Sequence, residues 1–206
     1  IGSSLVGWFF CIRDSRCPGR GGDQDYGVTG RDLEKTRRQA HISRFNQDLI
    51  LAINPNTGLP YNVLHVDNLA EPGGTGTFEA RYDTLAAAEA RSAADDIIFV
   101  HHGDGTSLNQ DTGIVLKDRQ QLLGAGVQHI VQTQFGGYIL TNDIDGRRAR
   151  INNDGGPAVT LANGNVVRGI VMDGAGVNMT HGILGVGGIA NLAGGTIENN
   201  IIRRAT

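Results

Sequence analysis

The chain has 206 residues and a formal net charge of −3, with 18 Lys and Arg against 21 Asp and Glu. This balance offers no basic surface for the phosphate backbone of DNA or RNA, so we do not expect nucleic-acid binding. The 31 glycines and 15 asparagines argue against a helical bundle. They favour many short strands joined by tight turns that need left-handed backbone conformations.

Residues 1–58 are predicted to form a mixed, loop-rich N-terminal segment that ends in a linker. The six-position spacing of Cys11 and Cys17 allows either a small disulfide loop in an oxidising compartment or two free thiols. Apolar residues over 42–52 recur three or four apart, which fits an amphipathic helix. A strand over 45–53 is the alternative, and periodicity does not decide between them.

The second region, residues 59–206, starts with YNVLHVDN, whose apolar residues predict a short strand. The stretch TLAAAEARSAA over 84–94 predicts a helix with Asp83 as its N-cap. A buried strand, IIFV over 97–100, follows directly. GDGT over 103–106 predicts a turn in which the glycines supply the backbone freedom.

The remainder of the chain consists of short apolar segments divided by Gly, Asn and Asp. Val159 and Ile183 lie 24 positions apart, and Val167 and Ile197 lie 30 apart. A unit of 20 to 30 residues is about the size of one coil of a β-solenoid, in which each strand pairs in parallel with its equivalent in the previous coil.

Gly and Asn are expected at the corners between these strands, because a corner needs unusual dihedral angles. Gly169 and Asn199 lie at the same 30-residue offset as the apolar pair beside them. The Asn199-Asn200 dipeptide suits such a turn, with side chains that stack as hydrogen-bonded ladders.

The helix DTLAAAEARSAADD running into IIFVHHGDGT and then GIVLKDRQQLLGAG resembles the N-terminal cap and first coils of pectate-lyase-like right-handed parallel β-helix proteins. NVLHVDN, GGTGTFEARYDTLAAAEA and LANGNVVRGIVMDG are similar to passenger regions of inverse-autotransporter-like bacterial surface proteins of planctomycete type. The resemblance implies a mainly β fold, with a right-handed parallel β-helix over 59–206 and a cap helix at about 84–94. It also implies that residues 1–58 are the tail of a preceding outer-membrane barrel region plus a linker.

The stretch NDIDGRRARINND, residues 142–154, carries the densest chemistry. Asp143 and Asp145 followed by Gly146 resemble the start of a calcium loop, although the remaining ligands of an EF-hand are missing. These carboxylates with Arg147 are also what a lyase of acidic sugars needs, with calcium on the substrate carboxylate and an arginine as base. A solvated loop with salt-bridged charges is the alternative.

Asp173 and Arg168 complete the candidate catalytic groups. β-helix hydrolases use paired carboxylates on neighbouring strands, but no second Asp pair occurs on a later segment. Arg168 fits an outward-facing ladder with a neighbouring strand better than a catalytic role. The adjacent His101 and His102 point to opposite faces of a strand and cannot jointly bind one metal; we expect one to face the turn and the other to pack under the helix.

These observations predict a non-catalytic, extracellular or outer-membrane-associated solenoid: an adhesin, structural or assembly component that presents a binding face to carbohydrate or other surface proteins. No cofactor is expected unless Asp143 and Asp145 bind calcium. The alternative is a secreted polysaccharide lyase or glycoside hydrolase. Convergence of the candidate groups in one groove would favour the enzyme. The last strand, in TIENNII, is expected to expose its edge and to pair end to end with another copy or another protein.

Overall fold

The computed structural model describes residues 41–42, 50–141, 145–185 and 193–205. Cys11, Cys17 and Asp143 lie outside the described residues, as does most of the N-terminal segment. The disulfide between the cysteines and the calcium site at Asp143 and Asp145 therefore remain predictions. Strand β1 (His41–Ile42) pairs antiparallel with β2 (Ile50–Leu51). Both ends of the predicted helix over 42–52 are therefore strand, and the strand alternative is the correct one for β2.

The described chain is mainly β, with 38% strand and 5% helix, because its β-branched runs are short and divided by turn residues. After β1 and β2, the elements in order are β3 Val63–Val66, α1 Leu85–Arg91, β4 Ile97–Val100, β5 Ile114–Val115, β6 Gln121–Gly124, β7 His129–Thr133, β8 Gly136–Thr141, β9 Arg150–Ile151, β10 Pro157–Leu161, β11 Val166–Arg168, β12 Val171–Asp173, β13 His181–Gly185, β14 Thr196–Glu198 and β15 Ile201–Arg203. These strands form several small sheets.

Three of the sheets are wholly parallel, with strand orders β14-β11-β6-β4-β3, β13-β10-β5 and β15-β12-β9. The other two, β1-β2 and β7-β8, are antiparallel pairs. The sequence-based prediction of a right-handed parallel β-helix over 59–206 is wrong, since the described residues form several small sheets of both kinds and no closed solenoid. One physical cause is the turn after β7, which folds β8 back onto it. The division of the chain near residue 58 stays a prediction.

The pairings predicted from the repeat spacing are confirmed. Val159 on β10 is in register with Ile183 on β13, and Val167 on β11 is in register with Ile197 on β14. The corners that follow also correspond, because Gly169 has a φ of 79° and Asn199 a φ of 54°.

Asn200 connects these corners through its side chain. Its Oδ1 accepts the N–H of Ile170 at 3.0 Å, and its Nδ2 donates to the carbonyl of Val167 at 2.8 Å. The predicted ladder therefore runs from an Asn side chain to the backbone of the neighbouring layer rather than between two Asn side chains.

Strands β3 and β4 of the five-stranded sheet are buried on both faces, which explains why IIFV is apolar throughout. On one face, Ile98 and Leu122 belong to the main core cluster. On the other face, Ile97 and Leu123 belong to a second cluster that Tyr138 on β8 covers in part. A strand buried on both sides needs a continuous apolar run rather than an alternating one.

Helix α1 packs on the main core through Leu85 and Ala88, which are fully buried. Thr84, rather than the predicted Asp83, caps it: Thr84 Oγ1 accepts the N–H of Ala87 at 3.1 Å. The Lys117 ammonium donates to the carbonyl of Glu89 near its last turn at 2.7 Å, where a cation is favourable. No helix in the described ranges has the length and apolarity to cross a membrane.

A row of polar side chains lines the starts of the five-stranded sheet's strands. Asn62 Nδ2 donates to Asp96 Oδ2 at 3.0 Å. Gln120, which is fully buried, donates to the carbonyl of Ala93 at 2.7 Å and accepts the N–H of Lys117 at 2.7 Å. These side chains replace solvent for backbone groups that the turns leave unpaired, so the row fixes where the strands begin.

Candidate functional site

Asp173 is the best-defined of the candidate residues. It ends β12, the central strand of the β9-β12-β15 sheet, and its side chain is only 2% exposed. Arg150 on β9 reaches it from one side, with Nη1 3.0 Å from Oδ2. Arg204, just after β15, approaches from the other side and places Nε 3.1 Å from Oδ1 and Nη2 3.1 Å from Oδ2.

The oxygens of Asp173 are engaged by hydrogen-bond donors. Besides the two guanidinium groups, the backbone N–H of Ala175 donates to Oδ1 at 3.1 Å. A buried carboxylate needs such compensation because removal from water is costly. The arrangement holds three neighbouring strands together, and it leaves Asp173 poorly suited to take a proton from a substrate.

An open depression of about 350 Å³ lies beside this ion-paired group. Its walls come from the turn after β4, from β9 and from the end of β12: Gly105, Thr106, Ser107, Arg150, Asp173 and Ala175. The fold thus brings the GDGT stretch next to Asp173, about seventy positions later in the sequence. Sequence reasoning did not connect these two regions.

The GDGT stretch is a turn, as predicted. Gly103 and Gly105 have φ values of 57° and 81°. Asp104 Oδ1 accepts the N–H of Thr106 at 2.8 Å, its hydroxyl at 2.8 Å, and Nδ2 of Asn68 at 2.5 Å. The hydrogen bond from the Thr106 N–H is the largest of the causes that lower the pKa of Asp104, followed by the one from Asn68. Asp104 therefore stabilises the turn.

Asp145 and Arg147 form a local ion pair on the surface. Arg147 Nε lies 2.5 Å from Asp145 Oδ2, and the backbone N–H of Arg147 donates to Oδ1 at 2.8 Å. The two side chains are 37% and 72% exposed, which matches the alternative of a solvated, salt-bridged loop. In the described ranges, no three His, Cys, Asp or Glu side chains come together to hold a metal ion.

Arg168 forms a ladder with the neighbouring strand, as expected. It is in register with Glu198 on β14, and Nη1 lies 3.1 Å from Oε1. The described candidate groups therefore belong to ion pairs in three separate places: one pair in the loop before β9, two pairs at Asp173 in the β9-β12-β15 sheet and one pair between β11 and β14. The structure does not assemble them into one acid–base constellation.

The sequence reasoning missed a cluster of histidine and phenylalanine side chains beside β3 and β4. His101 contacts Phe99 with ring centroids 4.9 Å apart, and its Nε2 lies 3.1 Å from Nδ1 of His65. Burial, followed by the charge of Arg81, lowers the pKa of His101 to about 3. The prediction that one histidine packs under the helix is wrong, since His101 packs in this cluster. VLHV pairs with IIFV 34 positions later, which places His65 opposite Phe99 and two residues from the register position of His101; the recurrence of these two short apolar runs is the signal that could have revealed the neighbours.

His102 turns toward the GDGT corner, as expected for one of the pair. Its Nδ1 lies 3.0 Å from the carbonyl oxygen of Gly103. This hydrogen bond to the backbone of the adjacent turn explains the position of the His102 side chain without a bound ligand.

No family model, no curated protein and no solved structure matches the chain. The resemblance to passenger regions of bacterial surface proteins therefore stays a prediction.

Proposed function

We propose that this chain is a non-catalytic part of an extracellular or cell-surface protein that presents a binding face to carbohydrate or to another protein. The observation that carries the proposal is the state of Asp173. This candidate acid is buried and bound to two arginines, and among the candidate residues that the structure describes no second carboxylate shares its ion-pair network. General acid–base chemistry on a polysaccharide needs a carboxylate that can exchange a proton with the substrate.

The depression next to Asp173 is the binding position that we propose. Arg150 uses only Nη1 in its bond to Asp173, and its side chain is 38% exposed. The remaining N–H groups of a guanidinium are donors with a fixed planar geometry, which suits hydroxyl, carboxylate or carbonyl oxygens of a ligand. Thr106 and Ser107 line the same depression and add hydroxyl groups.

Binding and turnover must be measured together on a panel of neutral and acidic polysaccharides. We expect retention of the protein by at least one polymer, with no release of unsaturated or reducing sugar ends. The Arg150→Ala variant is expected to weaken retention at least tenfold. Arg119→Ala is the control, because Arg119 also pairs with a carboxylate, that of Asp95 at 2.7 Å, but does not line the depression.

Release of unsaturated ends would identify a lyase, and release of reducing ends a hydrolase; either result would overturn the non-catalytic proposal. Equal binding by the Arg150→Ala and Arg119→Ala variants would overturn the position assigned to the site. The cell-surface location is tested by treating intact producing cells with a protease that does not enter them. Survival of the chain under that treatment would contradict a surface location.

A further inference from the structure

The hairpin made by β7 and β8, residues 129–141, packs on the fold through one of its faces. Val131 is 3% exposed and belongs to the second core cluster, against which Tyr138 and Leu140 also pack. The Tyr61 hydroxyl donates to the carbonyl of Gln132 at 2.8 Å. These contacts fix the hairpin on the outer side of the five-stranded sheet.

The opposite face of the hairpin carries exposed apolar side chains. Ile130 and Ile139 are direct register partners across the two strands, and they are 50% and 48% exposed. Phe135 in the turn is 62% exposed. Adjacent exposed large apolar side chains, such as Ile130 and Ile139, are a feature of interaction sites.

The hairpin also lacks the charges that normally protect such an element. Residues 129–141 include no Asp, Glu, Lys or Arg. Exposed strand edges in monomeric proteins usually carry charged residues, prolines or bulges on the edge, because a bare edge pairs with other strands. In the described part of the chain β8 pairs with β7 and with no further strand. The ladder has one register shift, between His129 and Ile130, and it leaves residues 136–139 in regular pairing with β7, so this part of the outer edge meets that description.

We propose that β8 pairs antiparallel with β8 of a second copy of this chain, which joins two hairpins into one four-stranded sheet. An antiparallel pairing about a two-fold axis is self-complementary, because every contact occurs twice. With the pairing centred on Ile139, the Ile130–Ile139 rows of the two copies form one continuous apolar face. The absence of charge favours a second copy as the occupant, since a charged strand would repel its own copy.

The size of the hairpin sets the expected strength. A stable specific interface buries about 800 Å² on each partner, and a hairpin of 13 residues offers less than that. The dimer is therefore reversible, and its population depends on protein concentration. The proposal is independent of the function proposed above, because the hairpin contributes no residue to the depression at Arg150.

The experiment is sedimentation velocity over a dilution series of the full chain. We expect the average mass of the unaltered protein to rise toward twice the monomer mass with concentration. Ile139→Lys introduces a charge that must face its copy, and this variant is expected to stay monomeric. The matched control is Leu108→Lys, because Leu108 is 61% exposed and lies outside the hairpin.

Hydrogen exchange separates edge pairing from unspecific association. If the edges pair, amide exchange within Gly136–Thr141 slows with concentration in the unaltered protein and in Leu108→Lys, but not in Ile139→Lys. A monomeric unaltered protein at its solubility limit would overturn the proposal. So would an equal loss of association in both lysine variants, or association without any slowing in β8. Circular dichroism of the two variants checks that both remain folded.

Discussion

His65 and His101 share a hydrogen bond between Nδ1 and Nε2, which lie 3.1 Å apart. One ring nitrogen must carry the bridging proton and the other must accept it, so the pair is satisfied while the acceptor ring is neutral. Phe99 contacts both rings, with centroids 5.9 Å from His65 and 4.9 Å from His101. An additional proton, beyond the one that each neutral ring carries, would place a positive charge among aromatic side chains and near Arg81.

The first prediction is a loss of stability in mild acid. Burial lowers the pKa of His101 from 6.5 to about 3. Between these values the unfolded chain binds a proton that the folded chain does not, so stability is highest above pH 6.5 and falls as the pH falls toward 3. One such group lowers the free energy of unfolding by at most about 1.4 kcal/mol per pH unit. Urea unfolding at about pH 7 and about pH 5 measures the slope.

The variant His101→Gln keeps an acceptor and a donor but does not titrate. In this variant the free energy of unfolding is expected to depend less steeply on pH, by the equivalent of about one bound proton. The remaining slope includes the contribution of His129, whose pKa burial also lowers. His181→Gln is the control, since His181 is exposed on β13. A slope in His101→Gln equal to that of the unaltered protein would contradict the prediction.

The second prediction concerns the ion-paired group at Asp173. Asp173→Asn removes the charge between Arg150 and Arg204, and the amide cannot accept from all the donors. The two arginine side chains are 38% and 61% exposed, so water compensates them in part. We expect a loss of about 1 to 3 kcal/mol in the free energy of unfolding, measured by urea titration.

Asp145→Asn is the comparison for this variant, because it removes an ion-paired carboxylate that is 37% exposed. Exposed pairs contribute little, and a change of less than about 0.5 kcal/mol is expected. If the two variants lost the same amount, the view that Asp173 joins the strands of its sheet would be untenable.

Part of this fold could be predicted from the sequence because it depends on local patterns. The runs VLHV and IIFV form strands, and the 24- and 30-residue spacings give the correct partners for Val159 and Val167. Each of these signals is an apolar segment that recurs at a fixed interval. The side chains then repeat in the same register, so spacing alone identifies the partner strand.

The division into several sheets depends on information that spacing does not carry. HIVQT and GYIL resemble the other short apolar segments, but β7 and β8 pair antiparallel with each other. The direction of pairing follows from the short turn around Phe135, and the hairpin's position follows from the second core cluster. Apolar segments of this length do not reveal which face of a sheet they will cover.

The candidate site was only partly predictable for a related reason. Asp173 was identified from its place at the end of a strand, but Arg150 and Arg204 are 23 and 31 positions away. Their approach depends on the register of β9, β12 and β15, which pairs Met172 with Ile151 and with Ile202. Without knowledge of that register, the sequence around a single Asp does not distinguish a catalytic carboxylate from a structural one.

The third prediction concerns the polar row at the start of the five-stranded sheet. Gln120→Met preserves side-chain size but removes the donor to Ala93 and the acceptor from Lys117. Because the site is fully buried, water cannot replace these bonds, and we expect a loss of about 2 to 4 kcal/mol. Asn163→Ala, at an exposed position in the corner between β10 and β11 whose Oδ1 accepts the N–H of Ala193, should cost less than about 1 kcal/mol. Thermal and urea unfolding of both variants measure the difference, and equal costs would refute the assigned role of Gln120.

The fourth prediction separates backbone strain from close approach at two corresponding corners. Gly169 and Asn199 both have a left-handed backbone, with φ of 79° and 54°. A Cβ on Gly169 would lie 2.6 Å from Cγ2 of Val127 and 2.9 Å from the carbonyl oxygen of Gly124, whereas Asn199 already carries a Cβ. Both Gly169→Ala and Asn199→Ala should therefore lose about 1 kcal/mol through the left-handed conformation.

Gly169→Ala alone has to move a neighbouring strand, so its total cost is expected to be about 2 to 4 kcal/mol. The free energies of unfolding of the two alanine variants, measured under the same conditions, give the comparison. A cost at Gly169 no larger than that at Asn199 would mean that the neighbouring strand yields freely. In that case glycine is required at this corner only for its dihedral angle, and the tight contact between the layers contributes little to stability.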